Sequence, residues 1–224
     1  MTFSLLKSPV YVAGHNGLIG SALMRRLEKE NVKNLAYLDR EDLDLTNTDQ
    51  VEQFFQTVRP QTVFLAAGRV GGILENWGCP AEFLTQNLKM QLNIIDTAYR
   101  TGVDKLIFFG SSCMYPRECS QPMNEQQLWS GIPETSSMAY AVAKLAGMHM
   151  CLAYNQQYGG SRFVPVIPNN AYGPHDNFDP NSSHVISALI RKFYDAKEQQ
   201  LPSVTLWGSG RPRREFIHAD DIVD

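Results

Sequence analysis

The sequence has little sulfur, no excess of either charge and no long apolar run. Its four cysteines, Cys79, Cys113, Cys119 and Cys151, are irregularly spaced along 224 residues. That is too sparse for a disulfide framework in a chain large enough to fold without one, so free thiols are expected. No stretch approaches the roughly 18 apolar residues of a membrane span, and the opening Met1-Thr-Phe-Ser-Leu-Leu-Lys-Ser-Pro9 is too short and too polar for a secretory leader. A cytoplasmic protein with no membrane partner is expected. The formal charge of −3, with Lys and Arg scattered rather than clustered, excludes the basic field that nucleic acid requires. His15, His149, His175 and the pair His218 and Asp220 fall into no metal-ligand spacing, and no metal is expected. Internal repeats and low-complexity tracts are also missing.

What is present is an alternation of two periodicities in a chain that is 43% hydrophobic and 19% charged, ordinary values for a soluble globular protein with one substantial core. Short apolar runs at 9–13, 34–38, 62–66, 105–109 and 162–167 have the continuous hydrophobicity of strands buried on both faces. Amphipathic stretches at 18–30, 48–58, 80–99 and 137–158 separate them. Strand and helix alternating at this spacing predict an α/β fold, a Rossmann-like doubly wound parallel sheet. Thr48 is the expected N-cap of the second helix, and Leu84, Leu88, Leu92 and Ile95 are expected on one stripe of the third, as core or interface. After Asn170 the texture turns polar and rich in Pro and Gly, followed by a helical run at 184–196. The expected division is a dinucleotide-binding domain over 1–170 and, over 171–224, the start of a small substrate lobe that is incomplete here.

Two groups of residues carry chemistry. Gly14-His-Asn-Gly17-Leu-Ile-Gly20 follows a strand and opens a helix. Missing side chains at Gly14, Gly17 and Gly20 would let the backbone turn tightly and meet a pyrophosphate with the free amides of the helix N-terminus. At the end of the second strand, Asp39 suits the ribose hydroxyls of NAD, whereas Arg40 beside it suits the 2′-phosphate of NADP; the two signals conflict. Farther on, Tyr140 and Lys144 stand one helical turn apart, placing a phenol and an ammonium on one face. Reducing a ketone requires a proton on oxygen as hydride reaches carbon. Tyr140 can donate it, Lys144 can lower the phenol from its usual value near 10, and Ser111 can hydrogen-bond the nascent alkoxide.

With the glycine turn, Ser111-Ser-Cys-Met-Tyr-Pro116 and Tyr140-Ala-Val-Ala-Lys144 in this order, the chain resembles the extended short-chain dehydrogenase/reductase family. Within it, Val70-Gly-Gly-Ile73, Ser111-Ser-Cys113, Tyr172-Gly-Pro-His-Asp-Asn-Phe178, Ser183-His-Val-Ile186 and Trp207-Gly-Ser-Gly210 are similar to epimerase/reductases of GDP-linked sugars, over residues 9–222. The resemblance implies 3,5-epimerisation and 4-reduction of a GDP-4-keto-6-deoxyhexose, with NADPH as reductant and NAD as the alternative. It implies that Cys113 and His184 serve the epimerisation, one as base and the other as acid. It also implies that Lys192, Trp207 and Arg214 hold the nucleotide, by pairing with diphosphate and packing on the base. Asn170, just past the fifth strand, is expected to hydrogen-bond cofactor or sugar. A homodimer through the helices at 80–99 and 137–158 is implied as well.

Three departures from that pattern bear on specificity. Asn16 stands where Arg is frequent in the glycine turn, Asp39 precedes Arg40, and Ser136-Ser-Met-Ala139 replaces the usual Asn-Glu-Pro before Tyr140. Two competing readings remain: an NAD-dependent nucleotide-sugar 4-epimerase, which needs no thiol, and a dinucleotide-sensing binding protein without turnover.

Overall fold

The computed structural model describes residues 8–179 and 182–224, which leaves most of the opening segment 1–9 and positions 180 and 181 of the polar passage outside the described residues. Its frame is a parallel five-stranded sheet in the order β2-β1-β3-β4-β5, formed by β1 (Val10–Ala13), β2 (Leu35–Ala36), β3 (Thr62–Leu65), β4 (Lys105–Phe109) and β5 (Phe163–Val166). The connecting helices are α1 (Leu18–Lys29), α2 (Thr48–Val58), the short α3 (Ile73–Gly78), α4 (Pro80–Arg100) and α5 (Met138–Tyr158). Then follow β6 (Asn170–Tyr172), α6 (Val185–Glu198), β7 (Phe216–His218) and α7 (Ala219–Val223), with β6 and β7 pairing in parallel.

Alternate residues of each strand feed opposite layers, which is why the runs are apolar throughout. Tyr11, Val63, Leu65, Leu106 and Phe108 join a core with Phe54 and Phe55 of α2, Ile94 and Ile95 of α4 and Met148 of α5. Val10, Val12 and Phe109 face the other way, onto Leu23 and Leu27 of α1. On the first face α4 and α5 lie close because Gly147 has no side chain: a Cβ there would stand 2.2 Å from Gln91 Oε1 and 2.7 Å from Phe108 Cζ.

The chain ends on the second face. Ile222 and Val223 of α7 pack beside α1, and Arg25 and Arg26 pair with Asp220 and Asp224. The end of the described chain, in the stretch expected to begin the substrate lobe, thus packs on α1.

Differences from the sequence expectations have local causes. The second strand shrinks to Leu35–Ala36 because it is a sheet edge with one neighbour, and Tyr37 and Leu38 turn outward. The N-cap of α2 is Asn47, not Thr48: its side chain accepts from the Gln50 amide, while the Thr48 hydroxyl donates to Asn93 Oδ1. On α4 the buried face is Phe83, Asn87, Gln91, Ile94, Ile95 and Ala98. Of the expected stripe, Ile95 lies in the core, while Leu84 and Leu88 are half-buried and Leu92 is 56% exposed, so its first three residues line the surface.

Candidate active site

The sheet order reverses between β1 and β3, so the crevice at their carboxyl ends is the place a parallel fold leaves for a ligand. Gly14 follows β1 directly and turns with φ +85°, and a Cβ there would lie 2.7 Å from the Ala67 backbone. Gly20 is more constrained: its Cβ would stand 1.9 Å from the Gly14 carbonyl oxygen. Gly17 is the N-cap of α1 and brings no side chain to the first-turn amides, while its own amide donates to Gly14 O at 3.1 Å. The amides of the first helical turn have no partners within the helix. A cradle without side chains that exposes these amides fits a dinucleotide's pyrophosphate.

Asp39 and the glycine turn are joined. Asn16 Nδ2 donates to Asp39 Oδ1, and His15 Nε2 lies 3.7 Å from the same oxygen. The His15 ring packs at 4.9 Å from Tyr37, with Nδ1 buried and unpartnered. Asp39 is thus oriented from the turn side while Arg40 extends into solvent.

At the carboxyl end of β4 the chain enters a 3₁₀ turn, Ser112–Met114, capped by Ser111, whose Oγ accepts from the Cys113 amide at 3.3 Å. The Ser111 side chain lies close to the Tyr140 phenol. Tyr140 is 7% exposed, and burial pushes its phenol above the ordinary value; neighbouring Cys113 acts in the same direction and the polar Ser111 side chain opposes both. Phe83 of α4 packs edge-on against the Tyr140 ring, centroids 6.4 Å apart.

Lys144 is 3% exposed. Its Nζ donates to Phe109 O at 2.8 Å and lies 5.9 Å from the centre of the Tyr140 ring. The ammonium thus stands over the ring and is held by the end of β4, and the phenol is raised by burial rather than lowered by Lys144 as the sequence suggested. Burial pushes Lys144 down to about 8.

A linkage consequence follows. The unfolded lysine holds its proton up to about pH 10.5, so between about 8 and 10.5 the unfolded state binds more protons and Lys144 favours folding increasingly as pH rises. Relative to Lys144→Met, the protein should gain about 1 kcal/mol between pH 7 and 9. Urea unfolding at both pH values checks this, and parallel pH dependences for the two proteins would refute it.

The remaining expected residues are dispersed. His184 is the exposed N-cap of α6, and no hydrogen bond or ion pair joins it to Cys113 among the described residues. Lys192 and Trp207 do meet: the ammonium lies 4.2 Å from the centre of the indole ring, which is 73% exposed. Arg214 is exposed and donates to the neighbouring Arg213 carbonyl. The Asn170 amide donates to Glu215 O at 2.9 Å, where it ties β6 to the segment leading into β7. No group of three metal-ligating side chains occurs among the described residues.

Sequence reasoning gave no role to the loop after β3. Asn87 accepts from the Arg69 amide and donates to the Arg69 carbonyl, 2.9 and 3.0 Å. The Arg69 guanidinium lies over Phe83 and pairs with Glu82. Behind Gly71 and Gly72, Asn76 donates to both carbonyls, at 2.8 and 3.1 Å. The paired glycines were the available signal.

Residues 10–224 match the model of the NAD dependent epimerase/dehydratase family. The chain belongs to that family. It is 47% identical over 217 residues to the GDP-L-fucose synthase of Escherichia coli K12, covering 97% of this chain and 67% of that protein. A GDP-L-fucose synthetase from Naegleria fowleri solved with NADP bound superposes with a TM-score of 0.88 at 34% identity, covering 97% of this chain and 71% of that one. A GDP-6-OMe-4-keto-L-xylo-heptose reductase from Campylobacter jejuni gives the same TM-score at 36% identity, with 96% and 70% covered. This member of the epimerase/dehydratase family therefore spans about two thirds of the length of its relatives.

Proposed function

We propose that this chain carries out NADPH-dependent 3,5-epimerisation and 4-reduction of a GDP-4-keto-6-deoxyhexose, as a GDP-L-fucose synthase does. The carrying observation is the Ser111 side chain close to the buried Tyr140 phenol with Cys113 beside it, at the end of β4, with β3 alone between that strand and the one that leads into the glycine cradle. NADPH bound there would supply the hydride.

The remaining steps are assigned to residues of this chain. Ser111 holds the ketone oxygen and Tyr140 gives it a proton, a step for which a buried phenol of raised pKa is at least fully protonated at neutral pH. Lys144 places its charge between the ends of β3 and β4, since a Cβ on Gly68 would lie 3.6 Å from its Nζ. Before reduction, Cys113 takes a proton from a carbon beside the ketone and His184 returns one to the opposite face, inverting carbons 3 and 5 in turn. Lys192 and Trp207 together form a cationic and aromatic platform suited to a nucleoside diphosphate, and Arg214 and Asn170 are assigned to the same nucleotide and sugar side. Residues 1–170 serve the cofactor, and the stretch from 171 begins the sugar side.

The family relatives make NADP the cofactor assigned, with Arg40 free to meet the 2′-phosphate. Asp39, oriented by Asn16, favours an NAD-linked 4-epimerase as the second reading. Incubation with GDP-4-keto-6-deoxymannose separates them: the first reading expects stoichiometric NADPH oxidation, and turnover without net oxidation supports the second.

The half-buried Leu84 and Leu88 and the exposed Leu92 on α4, with exposed Val142 on α5, are assigned to a homodimer interface. A monomeric mass at micromolar concentration would contradict it. No helix among the described residues is long and apolar enough to cross a membrane, and a cytoplasmic location is proposed.

A further inference from the structure

His184 is the one member of the proposed epimerisation pair that its own element does not fix. As an exposed N-cap, it makes no side-chain capping bond. What holds the backbone just before it comes from elsewhere. The Gly72 amide donates to Ser182 O at 2.7 Å. A Cβ on Gly72 would stand 2.9 Å from Ser183 O, 3.1 Å from Ser182 O and 3.3 Å from Ser182 C, all backbone atoms that no side-chain rotation can move aside. Gly72 is itself anchored from behind, because buried Asn76 donates to the carbonyls of Gly71 and Gly72. On the far side of the same contact Ser183 Oγ is buried without a partner. The loop following β3 thus presses bare backbone against the strand of chain that ends in His184.

We propose that Gly72 is a positioning residue for His184: its hydrogen bond and its missing side chain set how far the Ser182–Ser183 backbone approaches the sheet, and hence where the imidazole stands above the sugar. This rests on the proposed epimerase/reductase reading. Proton return to carbon needs a donor within hydrogen-bond reach, and a misplacement of about 1 Å costs on the order of 100-fold. Gly72→Ala forces the two serine carbonyls outward and so slows the step that His184 serves. The chemistry at Ser111, Tyr140 and Lys144, anchored on β4 and α5, is left in place. Hydride then reaches a ketone whose neighbouring carbons have not been inverted, and product shifts to the sugar reduced without epimerisation.

The test compares wild type, Gly72→Ala, His184→Ala, the double variant and Gly78→Ala. Gly78 closes α3, the helix that Gly72 caps, and a Cβ there meets nothing within 4 Å. Each protein is given GDP-4-keto-6-deoxymannose and NADPH in deuterated water, and deuterium at carbons 3 and 5 is read together with the ratio of inverted to uninverted product. Gly72→Ala should lower the exchange rate roughly 10- to 100-fold and shift that ratio while its NADPH affinity stays that of wild type, as it should for Gly78→Ala. It should add nothing in the His184→Ala background. Unchanged exchange and product ratio in Gly72→Ala overturn the inference, as does an equal loss of exchange and reduction. Wild type that neither exchanges nor reduces would instead defeat the functional reading on which the inference rests.

Discussion

Tyr140→Phe should lower NADPH-dependent reduction by about 10²- to 10⁴-fold, the range expected when a positioned proton donor is removed. The fold should survive, because the phenyl ring keeps its place against Phe83 and inside α5. Ser111 Oγ keeps the Cys113 amide as donor, so the 3₁₀ turn after β4 has no reason to rearrange. Substrate affinity should change little, and exchange at carbons 3 and 5 should persist, since it is assigned to Cys113 and His184. Steady-state kinetics and the exchange assay check both halves. Reduction within a few-fold of wild type would remove Tyr140 from the mechanism.

The glycine cradle predicts an equally large effect that divides between two neighbouring glycines. Gly20→Ala places a methyl 1.9 Å from the Gly14 carbonyl oxygen and 2.8 Å from His15 Cα. Both obstacles are backbone, so the turn between β1 and α1 must open, at a cost of about 3 kcal/mol or more. Gly17→Ala meets only Gly14 O at 3.5 Å, an ordinary contact. It should therefore unfold at the wild-type midpoint while losing NADPH affinity by roughly 10-fold or more, as a new methyl stands where the pyrophosphate must approach. Denaturation and fluorescence titration of NADPH separate the two variants. If both bind the dinucleotide like wild type, the pyrophosphate does not sit on this turn.

These outcomes depend on features that differ in how far sequence could reveal them. Strands and helices were legible because both faces of the sheet are covered, which makes Val10 to Ala13 and Lys105 to Phe109 apolar almost without interruption. The Tyr140 and Lys144 pair was legible as well, because one helical turn fixes which side chains share a face. Where Nζ ends was not: Phe109 O captures it, and a backbone carbonyl leaves no trace in residue identity. Likewise the stripe at Leu84, Leu88, Leu92 and Ile95 has helical spacing, yet spacing does not say which side of the helix the sheet takes, and of the four Ile95 is the one that is buried. Polar Asn87 and Gln91 occupy the buried side because each bonds backbone, Asn87 to Arg69 and Phe83, Gln91 to Asn87. Long-range contacts such as Gly72 with Ser182 lie furthest from view, since they join segments with no shared period.

The epimerase/reductase assignment rests on a ketone oxygen protonated by Tyr140 while carbon 4 receives hydride from the cofactor and carbons 3 and 5 exchange with solvent. Turnover of GDP-4-keto-6-deoxymannose with NADPH in deuterated water, followed by location of deuterium in the product, tests these together. One NADPH oxidised per product, deuterium at carbons 3 and 5, and none at carbon 4 is the predicted result; solvent deuterium at carbon 4, or product formed without oxidation of NADPH, would contradict it.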